Sequence, residues 1–238
     1  MKTIVRERYL ERIKALKDTP DIEIITGIRR SGKSNLMQAY IDYLKSDFED
    51  VNIIFIDFMD LEFEEIKEYH ALHKYVEDRY DKEKQNYLFV DEVQLCPNFE
   101  LAINSLYSKN KYDIYITGSN AFLLSADLAT LFTGRYIEIH MFPFSFKEYC
   151  EYYSDQADKD KLFEEYFIKG GLAGSYAYNT DLDRTTYIKE VYETIVNRDL
   201  VQKYNLPDTQ VLRQLSEFLM DNISNLTSPN RVSDILTA

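Results

Sequence analysis

The sequence predicts an α/β fold, with a five-stranded, mainly parallel sheet sandwiched by helices and an all-helical part after it. Three observations carry this. Strand-like apolar runs alternate with helix-like segments up to residue 140. The runs at 51–57 and 87–91 are almost continuously apolar, as in strands covered on both faces. After residue 140 the alternation stops, and only helical patterns follow, which suggests a boundary near 141–145.

Residues 4–17 space Ile4, Tyr9, Leu10, Ile13 and Leu16 as an amphipathic helix. It serves either as a lip over a nucleotide base or as a cap on the sheet edge. Thr19-Pro20-Asp21 turns the chain into a first strand, Ile22–Thr26. The next stretch, Gly27-Ile28-Arg29-Arg30-Ser31-Gly32-Lys33-Ser34, fits G-x-x-x-x-G-K-[ST] between a strand and a helix. That context makes it a phosphate-binding loop. Backbone N–H groups at the start of a helix attract an anion. The glycines let the backbone approach the phosphates, Lys33 can reach the β- and γ-phosphates, and the Ser34 hydroxyl can ligate Mg²⁺. Residues 27–35, ending at Asn35, are the expected nucleotide-binding set.

The helix opened by Lys33 runs to about Lys45 and is followed by the strand Val51–Asp57. Leu61 to Arg79 reads as one acidic helix. His70 and His73 lie on it, but no further His or Cys joins them into a metal site. Tyr87-Leu88-Phe89-Val90-Asp91-Glu92 is a buried strand ending in two acids, at the strand end where open α/β sheets bind ligands. Asp91 suits the metal and Glu92 the attacking water. A helix over 99–107 leads to the strand Tyr112–Thr117, which ends in Gly118-Ser119-Asn120. Thr117, Ser119 and Asn120 are candidates for sensing a γ-phosphate, and Ser119 or Asn120 equally suits a helix cap. A short helix over 122–131 precedes Thr133-Gly134-Arg135 and a fifth strand, Tyr136–His140. Arg135 is either a group that stabilises charge in phosphoryl transfer or one half of a surface ion pair.

Ser145 and Glu148 form a capping-box pattern opening the helical part. Helices are expected at about 145–153, 158–169, 181–203 and 208–223, interrupted at Gly170–Gly174 by a hinge or a close packing turn. The last stretch suggests the start of a helix-turn-helix. The expected division is a nucleotide-binding core at 1–143, a helical lid at 144–206 and a partial helix-turn-helix-like segment at 207–238.

Composition bounds what the chain does. Of its 238 residues 45% are apolar, enough for a sizeable core. A net charge of −13 argues against a broad non-specific nucleic-acid surface. Cys96 and Cys150 make neither a disulfide framework nor a zinc spacing. No signal peptide or membrane span is read, so a cytoplasmic protein is expected.

Together, G-I-R-R-S-G-K-S at 27–34, Y-L-F-V-D-E-V-Q at 87–94, I-T-G-S-N at 116–120, T-G-R-Y at 133–136, F-P-F-S-F-K-E-Y at 142–149 and G-G-L at 170–172 resemble a family of prokaryotic AAA-type P-loop ATPases. Its members often carry a further C-terminal domain, and beside them this chain looks C-terminally shortened. The resemblance implies strand order 5-1-4-3-2, a helical lid and the start of a winged-helix-like segment. It implies ATP and Mg²⁺ as cofactors, with Lys33 and Ser34 on phosphate and Mg²⁺, Asp91 on the metal and Glu92 on the water. Ser119 or Asn120 would be the sensor and Arg135 an arginine finger or sensor, acting in cis or in trans. Asn120 stands where relatives often have Ser. ATP is preferred to GTP by this likeness, and no guanine-reading motif is visible.

Two functional classes follow. One is a Mg²⁺-dependent ATPase. The other is a slow-turnover, ATP-dependent switch or regulator that binds protein or DNA through its C-terminal part. The partners expected are ATP, a second copy of the chain, and a protein held by the lid or C-terminal part, with nucleic acid left open and no membrane. A small-molecule kinase shares the loop but has no need of Asp91-Glu92 and Arg135.

Overall fold

The computed structural model describes residues 4–118, 130–153, 158–201 and 209–236. Five strands form one sheet: β1 Ile22–Gly27, β2 Val51–Asp57, β3 Gln85–Asp91, β4 Asp113–Thr117 and β5 Tyr136–Met141. Their order is β2-β3-β4-β1-β5, and all four pairings are parallel. This is the expected strand order, in a sheet wholly rather than mainly parallel. Every residue of β1 is buried, which suits a central strand covered on both faces.

Helices α1 Glu7–Lys14 and α2 Lys33–Asp47 cover one face. Leu36, Met37, Tyr40, Ile41 and Leu44 line one side of α2, and they pack on Ile25, Phe89, Tyr115 and Ile139 of the sheet. Helices α3 Tyr69–Glu77 and α4 Phe99–Tyr107 cover the other face. There Leu72, Val76, Ile103 and Leu106 meet Ile24, Ile54, Val90 and Ile116. Each such fully buried aliphatic side chain contributes about 1.5–3 kcal/mol relative to exposure.

The segment read as one helix over 61–79 is two. A 3₁₀ turn, Leu61–Ile66, precedes α3. The break falls at Glu68, whose backbone is extended and whose carboxylate accepts from the amides of His70 and Ala71. An acidic residue that caps a new helix stops the preceding one.

Beyond β5 come α5 Phe146–Tyr153, α6 Lys159–Lys169, a 3₁₀ turn at Ala173–Ala177, and α7 Asp181–Thr194. An aromatic cluster of Tyr149, Tyr176, Phe144, Phe146, Tyr152 and Tyr166 holds α5, α6 and the turn together. The glycine break is a close packing turn. A Cβ at Gly171 would lie 2.4 Å from the Phe144 carbonyl oxygen, and the Phe144 amide donates to the Gly171 carbonyl at 2.8 Å.

The chain divides into two compact units, Met1–Thr185 and Thr186–Ala238. The second unit contains the end of α7, which widens into a π-type turn at Ile195–Leu200, followed by α8 Thr209–Asp221 and α9 Pro229–Leu236. Arg213 pairs with Glu193 within it at 2.6 Å. No helix of the described residues is long and apolar enough to cross a membrane.

Candidate functional site

In a parallel sheet every strand ends at the same edge, so the loops after β1, β3 and β4 meet there. The loop after β1 is 27–32. Gly27 has φ +148°, and a Cβ on it would lie 2.4 Å from the Met141 carbonyl oxygen, so only glycine fits where β1 leaves the sheet beside β5. Arg30 stands in the left-handed region at φ 68°. Ile28 and Arg29 are half-buried and Arg30 is exposed. Ser31 is buried, and its Oγ has no hydrogen-bond partner among the described residues.

Gly32 precedes α2, which has no side-chain cap and no acidic residue in its first turn. With no side chain capping it, the start of this helix offers backbone donors and a positive dipole end that fit a phosphate. Lys33 is 5% exposed and donates to the carbonyls of Gly27 and Ile28 at 3.0 and 3.3 Å. Ser34 and Asn35 are exposed at the same helix end.

Asp91 closes β3 and is buried. The Thr117 hydroxyl, at the end of β4, donates to Asp91 Oδ1 and accepts from the Glu92 amide at 3.0 Å. Glu92 turns off the strand with φ 53°, and its carboxylate accepts from the Gln94 side-chain amide. Asp57 ends β2 in register with Asp91, and its Oδ1 accepts from the Met59 amide at 2.8 Å. Burial, with the nearby Asp91 charge, raises the Asp57 carboxyl above its usual range.

The loop, Lys33, Asp91, Glu92 and Thr117 thus share one edge of the sheet. Thr117 is tied to the two acids. Ser119 and Asn120 lie outside the described residues. Arg135 does not join the site within its own chain. It precedes β5, whose first residue, Tyr136, pairs with Ile22 at the start of β1, whereas the loop leaves from Gly27 at the far end. Five residues of strand put about 16 Å between the two ends. The Arg135 guanidinium rests 5.8 Å from the Tyr107 ring centre.

Three participants were not read from the sequence. Asp57 carried a signal, since it ends an apolar run as Asp91 does. Gln94 closes the 87–94 motif two residues after the acids, but the motif gives it no role. Arg6, just before α1, is 7% exposed and donates to the Ser31 carbonyl at 2.9 Å and to Glu148 at 2.6 Å. A lone arginine among charged residues gives no pattern.

A phosphate-binding loop at the carboxyl edge of a five-stranded parallel sheet, beside a strand ending in two acids, defines a P-loop nucleotide-binding α/β protein. Residues 19–150 match the AAA domain family, and the chain belongs to it. It is 34% identical over 240 residues to an uncharacterized protein of Haemophilus influenzae, covering 99% of this chain and 60% of that protein. It is 26% identical over 226 residues to the uncharacterized protein MJ1544 of Methanocaldococcus jannaschii, covering 90% of this chain and 50% of that one. The chain therefore spans about half to three-fifths of these relatives. Among solved structures, the S. cerevisiae Hsp104–ADP complex shares the fold, with a TM-score of 0.54 and 13% identity over 99% of this chain and 37% of that one.

Proposed function

We propose that this chain is a Mg²⁺-dependent ATPase of the AAA type. The observation that carries the reading is the Thr117 bridge, which ties a metal-side acid, Asp91, to the backbone of a water-side acid, Glu92, at the edge that bears the phosphate loop. Lys33 and the amides opening α2 would hold the β- and γ-phosphates. Ser34 and Asp91 would hold Mg²⁺, which neutralises charge on the phosphate oxygens when bound. Glu92 would orient the attacking water and accept its proton. Most of the rate enhancement in such a site comes from positioning and electrostatics.

Arg135 is assigned to the site of a neighbouring copy, because in its own chain it stands at the opposite edge of the sheet. A homo-oligomer follows from that assignment. A protein partner is assigned to α6, which presents Phe163, Phe167 and Ile168 to solvent.

A slow-turnover switch is the second reading, and one observation favours it. The Gln94 side-chain amide donates to Glu92 Oε2, which steadies that carboxylate and weakens it as a base for water. Phosphate release with and without Mg²⁺ separates the two. Release that needs Mg²⁺ and disappears in Lys33→Ala supports the ATPase. ATP binding without release at any protein concentration supports the switch.

A further inference from the structure

Arg6 is one of few buried charges in the described residues, and its guanidinium joins three separate parts of the chain. Nε and Nη2 donate to Glu148 Oε1 and Oε2 at 2.6 and 2.9 Å. Nη1 donates to the carbonyl of Ser31 in the phosphate loop at 2.9 Å, and to the carbonyl of Phe142 after β5 at 2.7 Å. The Tyr9 and Phe144 rings flank the cation at 4.5 and 5.1 Å. A planar fork makes these bonds together, which a lysine ammonium does not do.

Glu148 continues the path. Its Oε2 also accepts from the amide and hydroxyl of Ser145, each at 2.8 Å, at the start of α5. Burial alone would raise this carboxyl, but the Arg6 fork and the Ser145 donors outweigh burial and hold it below its usual range. From Phe144 the hydrogen bonds pass on to Gly171 and, through the Tyr166 hydroxyl at 2.7 Å, to α6. The phosphate loop and the helical segment therefore share one cation.

We propose that Arg6 is a positioning residue that couples the phosphate loop to α5 through Glu148, so that anion binding in the loop changes the order of the helical segment. This rests on the nucleotide-binding reading above. The physical ground is direct: Ser31 lies inside the loop that must wrap a phosphate, and its carbonyl shares Arg6 with Glu148. Moving the carbonyl redistributes the bonds of a buried cation, where an unmet partner is costly. Coupling of this kind is reciprocal.

The test is amide hydrogen exchange on the wild type, Arg6→Lys and Glu148→Gln, with near-UV circular dichroism confirming folding. Each protein is measured free and with Mg²⁺ and a non-hydrolysable ATP analogue. In the wild type the analogue should slow exchange at 146–153. In Arg6→Lys that difference should fall about tenfold, the scale of one lost charged hydrogen bond. A purely structural clamp would instead change free and bound exchange equally, and that result overturns the proposal. So does Arg6→Lys keeping the wild-type difference. The ligand-free arm stands apart from nucleotide binding. Glu148→Gln alters only the α5 side of the clamp, and it should speed exchange at loop residues 28–33. Unchanged loop exchange overturns the coupling whether or not nucleotide binds. An analogue that fails to bind the wild type overturns the nucleotide reading instead, with this arm still deciding the clamp.

Discussion

The Thr117 hydroxyl, at the end of β4, lies against two consecutive acids at the end of neighbouring β3, donating to the Asp91 carboxylate and accepting from the Glu92 amide at 3.0 Å. It holds the Asp91 carboxylate and the backbone from which Glu92 projects. Removing such an outer partner commonly costs about 10- to 100-fold in activity. Thr117→Val should lower the rate of phosphate release by that factor while leaving nucleotide affinity within a few-fold, and Thr117→Ser should restore it. A Val variant as fast as the wild type would show that the bridge is idle.

Gly27 meets the Met141 carbonyl so closely that a methyl group would sit 2.4 Å from the oxygen, at a φ of +148°. Gly27→Ala should destabilise the protein by about 2 kcal/mol or more. For a chain this long that is a fall in Tm of about 4–8 °C. Thermal unfolding of the ligand-free protein measures it. An unchanged Tm would mean that the loop departs from β1 in some other way.

The far edge of the sheet holds a buried acidic pair. Glu23 of β1 accepts from the Thr19 hydroxyl at 2.8 Å, and Asp113 of β4 accepts from the Tyr115 hydroxyl and the Asp18 amide, each at 3.0 Å. One oxygen of each carboxylate has no partner among the described residues. Burial, and then the Asp113 charge, raise Glu23 far above its usual 4.5. The folded state therefore keeps a proton that the unfolded chain has released, so this site's contribution falls as pH rises above 4.5 towards the folded pKa. Glu23→Gln is neutral throughout. Chemical denaturation at pH 5 and pH 8 should show the wild type losing more stability between them than the variant. Equal losses would mean that Glu23 is ionised in the fold.

How far the sequence led differs between the strands and the contacts across them. Apolar runs at 22–26, 51–57 and 87–91 mark strands because a sheet covered by helices buries mainly apolar side chains; β1 nonetheless buries Glu23, and β2, at the edge of the sheet, is covered only in part. The loop is legible because phosphate binding demands glycines and a lysine at fixed spacing. Ser145 and Glu148 were legible as a capping box, since both lie in one turn. The second partner of Glu148, Arg6, stands 142 positions away, and no local pattern encodes that distance. Arg135 illustrates a different gap. Its closeness to β5 in sequence suggested closeness to the phosphates, but a residue preceding a parallel strand stands at the edge opposite the ligand.

That position makes the role assigned to Arg135 testable between copies. Arg135→Ala should bind ATP as the wild type does and lose the part of its turnover that rises with protein concentration. An arginine supplied in trans is worth about a thousandfold or more in phosphoryl transfer. Mixing Arg135→Ala with Lys33→Ala should restore activity, since one copy keeps the site and the other the arginine. If Arg135→Ala turns over like the wild type at every concentration, the assignment fails.

The nucleotide retained on the protein after a single round with Mg²⁺ and limiting ATP decides whether the site hydrolyses ATP. Quenched and separated, the wild type should hold or release ADP and phosphate, Glu92→Gln should retain intact ATP, and Lys33→Ala should retain no nucleotide. Glu92→Gln converting ATP to ADP at the wild-type rate would remove Glu92 from the chemistry, and Lys33→Ala retaining nucleotide with wild-type affinity would remove the loop from binding it.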